Sequence, residues 1–109
     1  MNLDLGLMLE FSHHATQRAS QRGVTRNIMR LMVEQGEIIR KQGFKYYYMT
    51  HNTLRYFDLR TQDKLRNLVV LVKSKEVGNV VITCYKHENA IRNIKLKQKR
   101  LARYPKLSA

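Results

Sequence analysis

Leu68-Val69-Val70-Leu71-Val72, the turn Lys75–Asn79 with Gly78, and Val80-Val81-Ile82-Thr83-Cys84-Tyr85 carry the plainest fold signal in the chain. The first run is almost continuously apolar, as expected of a strand covered on both faces. The second is rich in β-branched residues and reads as the closing strand. Upstream lies the polar segment Arg60–Asn67, which reads as a loop. Before it, His51-Asn52 turns the chain into an extended segment, Thr53–Leu59. Phe44–Thr50, with Tyr46, Tyr47 and Tyr48, is an aromatic strand, and Gln42-Gly43 is the turn that joins it to a short strand, Glu37–Lys41.

Ahead of the strands the pattern is helical. Ser12 is placed to cap a helix from His13 to Arg22, with Gly23 at the position after its C-cap. Thr25 caps a second helix, Arg26–Gln35, closed by Gly36; Val24 and Met29 are spaced for a hydrophobic staple. Ile28, Leu31, Met32 and Val33 make that helix strongly apolar and therefore largely buried. Helices and strands are segregated, so the expected class is α+β with a largely antiparallel sheet of four to five strands. Downstream, Glu88–Arg103 is expected to form a helix with Ile91, Ile94 and Leu101 as its apolar positions, stopped near Pro105. The expected organisation is an N-terminal extension (1–11), one domain (12–86) and a basic tail (87–109).

At 109 residues the length suits one domain, and 43% hydrophobic against 27% charged residues suits a folded one. Lys and Arg number 21 against 8 acids, a net charge of +13. That balance favours a polyanion: nucleic acid first, an anionic membrane surface or acidic protein second. The excess is uneven. Residues 86–109 hold eight basic residues and only Glu88, and Lys95, Lys97, Lys99, Arg100 and Arg103 read as a basic arm for phosphates or as a solvated tail. The single cysteine, Cys84, excludes an internal disulfide and a multi-cysteine zinc site. His13, His14, His51 and His87 have no recognised zinc spacing, so neither metal nor other cofactor is expected. No apolar run approaches the ~20 residues of a membrane span, and the opening MNLDLGLMLEF lacks the basic start of a signal peptide. A cytoplasmic location is expected.

On the first helix His14, Arg18 and Arg22 are spaced i, i+4, i+8, so they line one face, with Ala15 and Ala19 as a small-residue stripe beside them. An imidazole exchanges a proton near neutral pH, and two guanidiniums grip a phosphate and stabilise the charge of a phosphorane. The same spacing also fits an ordinary cationic surface helix. Alternation places Thr83 and Tyr85 on one face of the last strand and Cys84 on the other. Thr83 and Tyr85 are candidates to hold a phosphate, or simply strand residues. Cys84 reads as a small core residue before a nucleophile. Tyr46–Tyr48 suits either a half-buried strand or the stacking of bases.

Ser12-His13-His14-Ala15, Arg18 and then Gln21-Arg22-Gly23-Val24-Thr25 resemble the opening of the DUF4258 family, roughly H-A-x-x-R-x-x-x-R-G-[IV]-[ST]. Ile38-Ile39, the Val-rich strand and Ile82-Thr83-Cys84-Tyr85 are similar to its later pieces, over residues 12–86. Here Cys84 stands where the family has valine, and His13 adds a second imidazole. The resemblance implies a RelE/BECR-like fold: two N-terminal helices packed on a twisted antiparallel sheet. That wider group includes metal-independent ribonucleases, often toxins paired with an antitoxin or immunity protein, for which an acidic partner would suit this chain. It implies a site of His14, Arg18 and Arg22 with Thr83 and Tyr85 opposite. The charge, separately, points to RNA held by phosphate contacts, with Arg26 and the basic arm, which lies outside the similarity, as candidate contributors.

Two other readings stand beside the ribonuclease. A non-catalytic RNA- or protein-binding module would use the same fold. A helix-turn-helix DNA binder would use the two helices, but Ile28, Met29, Leu31, Met32 and Val33 make the second too apolar to lie in a groove.

Overall fold

The computed structural model describes residues 9–88. The expected helix Glu88–Arg103 and the basic arm Lys95–Arg103 lie outside them, except Glu88 itself, which sits in a turn. The order is β1 (Leu9–Phe11), α1 (His13–Gln21), α2 (Arg26–Gln35), β2 (Glu37–Lys41), β3 (Phe44–Tyr48), α3 (His51–Leu54), α4 (Leu59–Leu65), β4 (Leu68–Ser74) and β5 (Asn79–Lys86). The class is α+β. One five-stranded sheet runs β1-β5-β4-β3-β2. It is antiparallel from β2 to β5 and parallel between β1 and β5, so it is mixed.

Both N-terminal helices form where their caps place them. The Ser12 hydroxyl accepts from the Ala15 N–H at 3.0 Å, and the Thr25 hydroxyl accepts from the Ile28 N–H at 3.2 Å. Gly23, at φ +68°, turns the chain sharply after α1. Its N–H reaches the Ser20 carbonyl at 3.2 Å while the Val24 N–H reaches Ala19 at 2.8 Å, the paired bonds of a Schellman closure. Gln42 and Gly43, at φ 52° and 82°, make the tight β2–β3 hairpin.

Two segments depart from expectation. The stretch 51–67 is neither extended nor loop but two short helices, α3 and α4. Thr50 caps α3, and the Gln62 side chain donates to the Phe57 carbonyl at 2.7 Å across the entry to α4. Each of these helices buries a single leucine, Leu54 and Leu65, so neither displays an apolar stripe along its sequence. The second departure is β1, which is not an extension but an edge strand. Three residues are too few for alternation to register, and the parallel pairing with β5 is made by tertiary contacts.

Ser12 joins β1, α1 and β5. Its N–H donates to the Val81 carbonyl at 3.0 Å and its hydroxyl to the Ile82 carbonyl at 2.9 Å, while the same oxygen caps α1. The β4–β5 register shifts there: Leu71 opposes Thr83 but Val72 opposes Val81, so Ile82 is the extra residue of a bulge. Its carbonyl is the one that Ser12 takes. Ser12→Ala is therefore expected to cost about 1–2 kcal/mol, combining a lost cap with a lost anchor. Urea unfolding checks this; a cost below that of Thr25→Ala, which removes a cap alone, would contradict it.

The sheet has two unlike faces. Tyr47, Val70, Val72, Val81 and Cys84 share one buried cluster with Ala15 and Ala19 of α1, Met29, Met32 and Val33 of α2, Leu54 and Leu65. On the other face Ile39, Tyr48 and Val69 are buried with Tyr46 and Tyr85 packed against them, and every member of that cluster belongs to a strand.

Candidate functional site

Helix α1 lies along β5 with Ala15 and Ala19 buried at 0% and 3% exposure. Because alanine has no reach beyond Cβ, the helix backbone comes close to the strand, and longer side chains on either side are left at the surface. His13, His14, Arg18 and Arg22 are all exposed. Arg22 is also the C-cap residue, its N–H bonded to the Arg18 and Ala19 carbonyls at 3.1 Å. Its position is thus set by the Gly23 closure.

Arg18 and Arg22 come near enough to Cys84 for their charge to act on its thiol. Burial pushes the Cys84 thiol up, and Arg22 and then Arg18 pull it partly back. Burial wins, so the group remains a thiol. At 1% exposure it is a core residue, and a nucleophilic role would require a thiolate that burial disfavours.

Side-chain ion pairs join Arg66 to Asp63 at 2.9 Å and Lys75 to Glu10 at 2.6 Å. Arg18 and Arg22 are in neither and have no carboxylate partner among the described residues. Two uncompensated guanidiniums one helical turn apart, with His14 one turn before them, form a cationic strip suited to an anion.

Arg26 opens α2 and is also exposed, but it faces elsewhere. Its guanidinium lies 5.5 Å from the centre of the Phe11 ring, and that of Arg30 lies 5.8 Å away. Leu9, Glu10, Phe11, Arg26 and Arg30 line an open depression of about 460 Å³. Phe11 falls in the expected N-terminal extension, so this grouping is a finding of the structure. The three residues of β1 are too short a run for alternation to mark them as a strand, so no sequence signal pointed to it.

Thr83 and Tyr85 do not join the α1 strip. Cys84 opposes Val70 and faces the helices, so its neighbours Thr83 and Tyr85, opposing Leu71 and Val69, face the other way. Tyr85 packs in the strand-only cluster, where burial first and Tyr46 second raise its phenol above the usual range. The structure therefore brings His14, Arg18 and Arg22 together and holds Thr83 and Tyr85 on the opposite side of the sheet.

The second helix of a would-be helix-turn-helix is likewise committed. Met29, Met32 and Val33 are buried in the main cluster and β2 follows directly. Compared with known proteins, the chain matches no family model, no curated protein and no solved structure. Among the described residues no helix is long and apolar enough to cross a membrane.

Proposed function

We propose that this protein binds RNA through phosphate contacts and that the His14/Arg18/Arg22 strip of α1 cleaves it without a metal ion. The observation that carries this reading is the pair Arg18 and Arg22, exposed, adjacent and without a carboxylate partner among the described residues. The +13 charge supports it. In this mechanism the His14 imidazole takes the proton of a ribose 2′-hydroxyl. The freed 2′ oxygen attacks the adjacent phosphorus, and the bond to the 5′ oxygen breaks. That oxygen leaves with a proton from water. The products are a 2′,3′-cyclic phosphate and a 5′-hydroxyl. Arg18 and Arg22 stabilise the additional charge of the pentacovalent phosphorane.

The position of Thr83 and Tyr85 on the other sheet face favours a second reading, an RNA-binding module without cleavage. In that case binding persists and His14→Ala changes nothing.

Binding is tested by titrating single-stranded RNA at several salt concentrations. Affinity is expected to fall steeply, with log K linear in log salt. Arg18→Gln and Arg22→Gln are each expected to reduce the slope by about 0.7, one single-strand phosphate contact apiece. Salt-insensitive binding, or slopes unchanged in both variants, would contradict the reading.

A further inference from the structure

The sheet face turned away from the helices carries its own chemistry. Phe44 and Tyr46 stand two residues apart on β3, so both project from this side, and Tyr85 of β5 packs against the same cluster as Tyr46. All three rings are only partly buried. Two lysines sit over them: Lys73 Nζ lies 5.8 Å from the centre of Phe44, and Lys41 Nζ lies 5.8 Å from that of Tyr46. Cross-strand register places Lys73 directly opposite Phe44, while Lys41, opposite Phe44 on β2, reaches diagonally to Tyr46, whose direct partner is Ile39. Among the described residues no helix contributes to this face's cluster.

We propose that this face is a stacking platform for the unpaired bases of single-stranded RNA. The proposal rests on the reading that the chain binds RNA, and it adds which part of the RNA is recognised and where. Three aromatic rings with ammonium groups already above two of them match the two components of a single strand: flat apolar bases and a regular line of charge. A base stacked on an aromatic ring is held more firmly than an exposed ammonium over that ring, so the base displaces the lysine head. The displaced ammonium, tethered beside the ring, is then placed for the neighbouring phosphate. A double helix has its bases stacked and paired internally and offers nothing to these rings. The α1 strip on the other side needs only phosphates, so the two surfaces differ in what they require of the RNA.

The test compares the full-length protein with a Phe44→Leu/Tyr46→Leu double variant, which keeps apolar bulk while removing both ring faces. The probes are a labelled oligouridylate of about twelve nucleotides and an RNA duplex of similar length. The variant is expected to bind the oligouridylate at least about tenfold more weakly, with a salt slope shallower by up to about 1.4 as the two lysines lose their phosphates, and with unchanged duplex binding. Loss of less than twofold, in a variant with the wild-type circular-dichroism spectrum, would overturn the platform. So would a wild-type dimer that the double substitution dissociates, because the face would then be a protein interface. Should the variant fail to fold, ultraviolet cross-linking of wild type to the oligouridylate decides. Cross-links at Phe44, Tyr46 or Tyr85 support the proposal; cross-links confined to other residues refute it. A wild type that binds neither probe removes the RNA reading itself, an outcome distinct from any of these.

Discussion

His14→Ala is expected to slow RNA cleavage by about 10²–10⁴-fold, the usual contribution of a positioned acid–base group. That range corresponds to about 3–5 kcal/mol of transition-state stabilisation. The loss belongs to chemistry and not to folding. His14 is exposed on α1, the buried contacts of that helix are made by Ala15 and Ala19, and alanine is the best helix former. RNA affinity should accordingly change little, since Arg18 and Arg22 remain. Arg22→Ala is expected to lower both affinity and rate, because it removes a ground-state phosphate contact that strengthens in the phosphorane. His51→Ala, an exposed histidine on α3, serves as the control and should leave the rate unchanged. Cleavage rates on a defined oligoribonucleotide check all three. A His14→Ala rate equal to wild type would move the assignment from enzyme to binding module.

The largest stability effect is expected at Gly36. Its backbone is ordinary extended chain, at φ −79° and ψ 172°, so conformational freedom is not the reason for glycine here. The reason is space. A Cβ at this position would lie 2.5 Å from the Met32 carbonyl oxygen, 2.8 Å from that of Tyr48 and 2.9 Å from the Met32 sulfur. Two of those three atoms are backbone, one in the last turn of α2 and one at the end of β3. Neither can rotate away, so relief requires moving α2 relative to the hairpin. The Gly36 N–H bond to Met32 at 2.8 Å would strain with it. Gly36→Ala is expected to cost at least about 3 kcal/mol, the upper part of the overpacking range. In a domain of this size that lowers the melting temperature by more than about 10 °C. Gly43→Ala provides the contrast: φ is +82° and nothing lies within 4 Å, so its cost is the backbone penalty alone, about 1–2 kcal/mol. Thermal melts of the two variants check the comparison, and a Gly43→Ala cost equal to or above that of Gly36→Ala would contradict the packing argument.

How much of this was legible beforehand follows from the length and periodicity of each segment. α2, β2 and the first residue of α1 lie where capping residues and apolar spacing placed them, because Ser12, Thr25 and Gly36 each act locally. The strand-like runs at 44–50, 68–72 and 80–85 were right in type, with ends shifted by one or two residues. α3 and α4 were not legible: a helix of four or seven residues with one buried leucine has no period to detect. β1 was hidden for a related reason, since its partner is β5, about 70 residues away. Alternation also separated Cys84 from Thr83 and Tyr85 correctly, and this is what divides the candidate site. If Cys84 faces α1, then Thr83 and Tyr85 cannot, and only cross-strand register shows which of them does. The aromatic face was visible as Tyr46–Tyr48, but not that Tyr47 turns to the helices while Phe44 and Tyr46 gather lysines on the other side.

The chemistry of the RNA ends tests the proposed cleavage most directly. The full-length protein is incubated with RNA in excess chelator, beside His14→Ala and Arg22→Ala, and the product termini are mapped. Wild type is expected to leave 2′,3′-cyclic phosphate and 5′-hydroxyl ends, with cleavage strongly reduced in both variants. Cleavage that appears only when metal is added, or that both variants perform as well as wild type, would contradict the proposal.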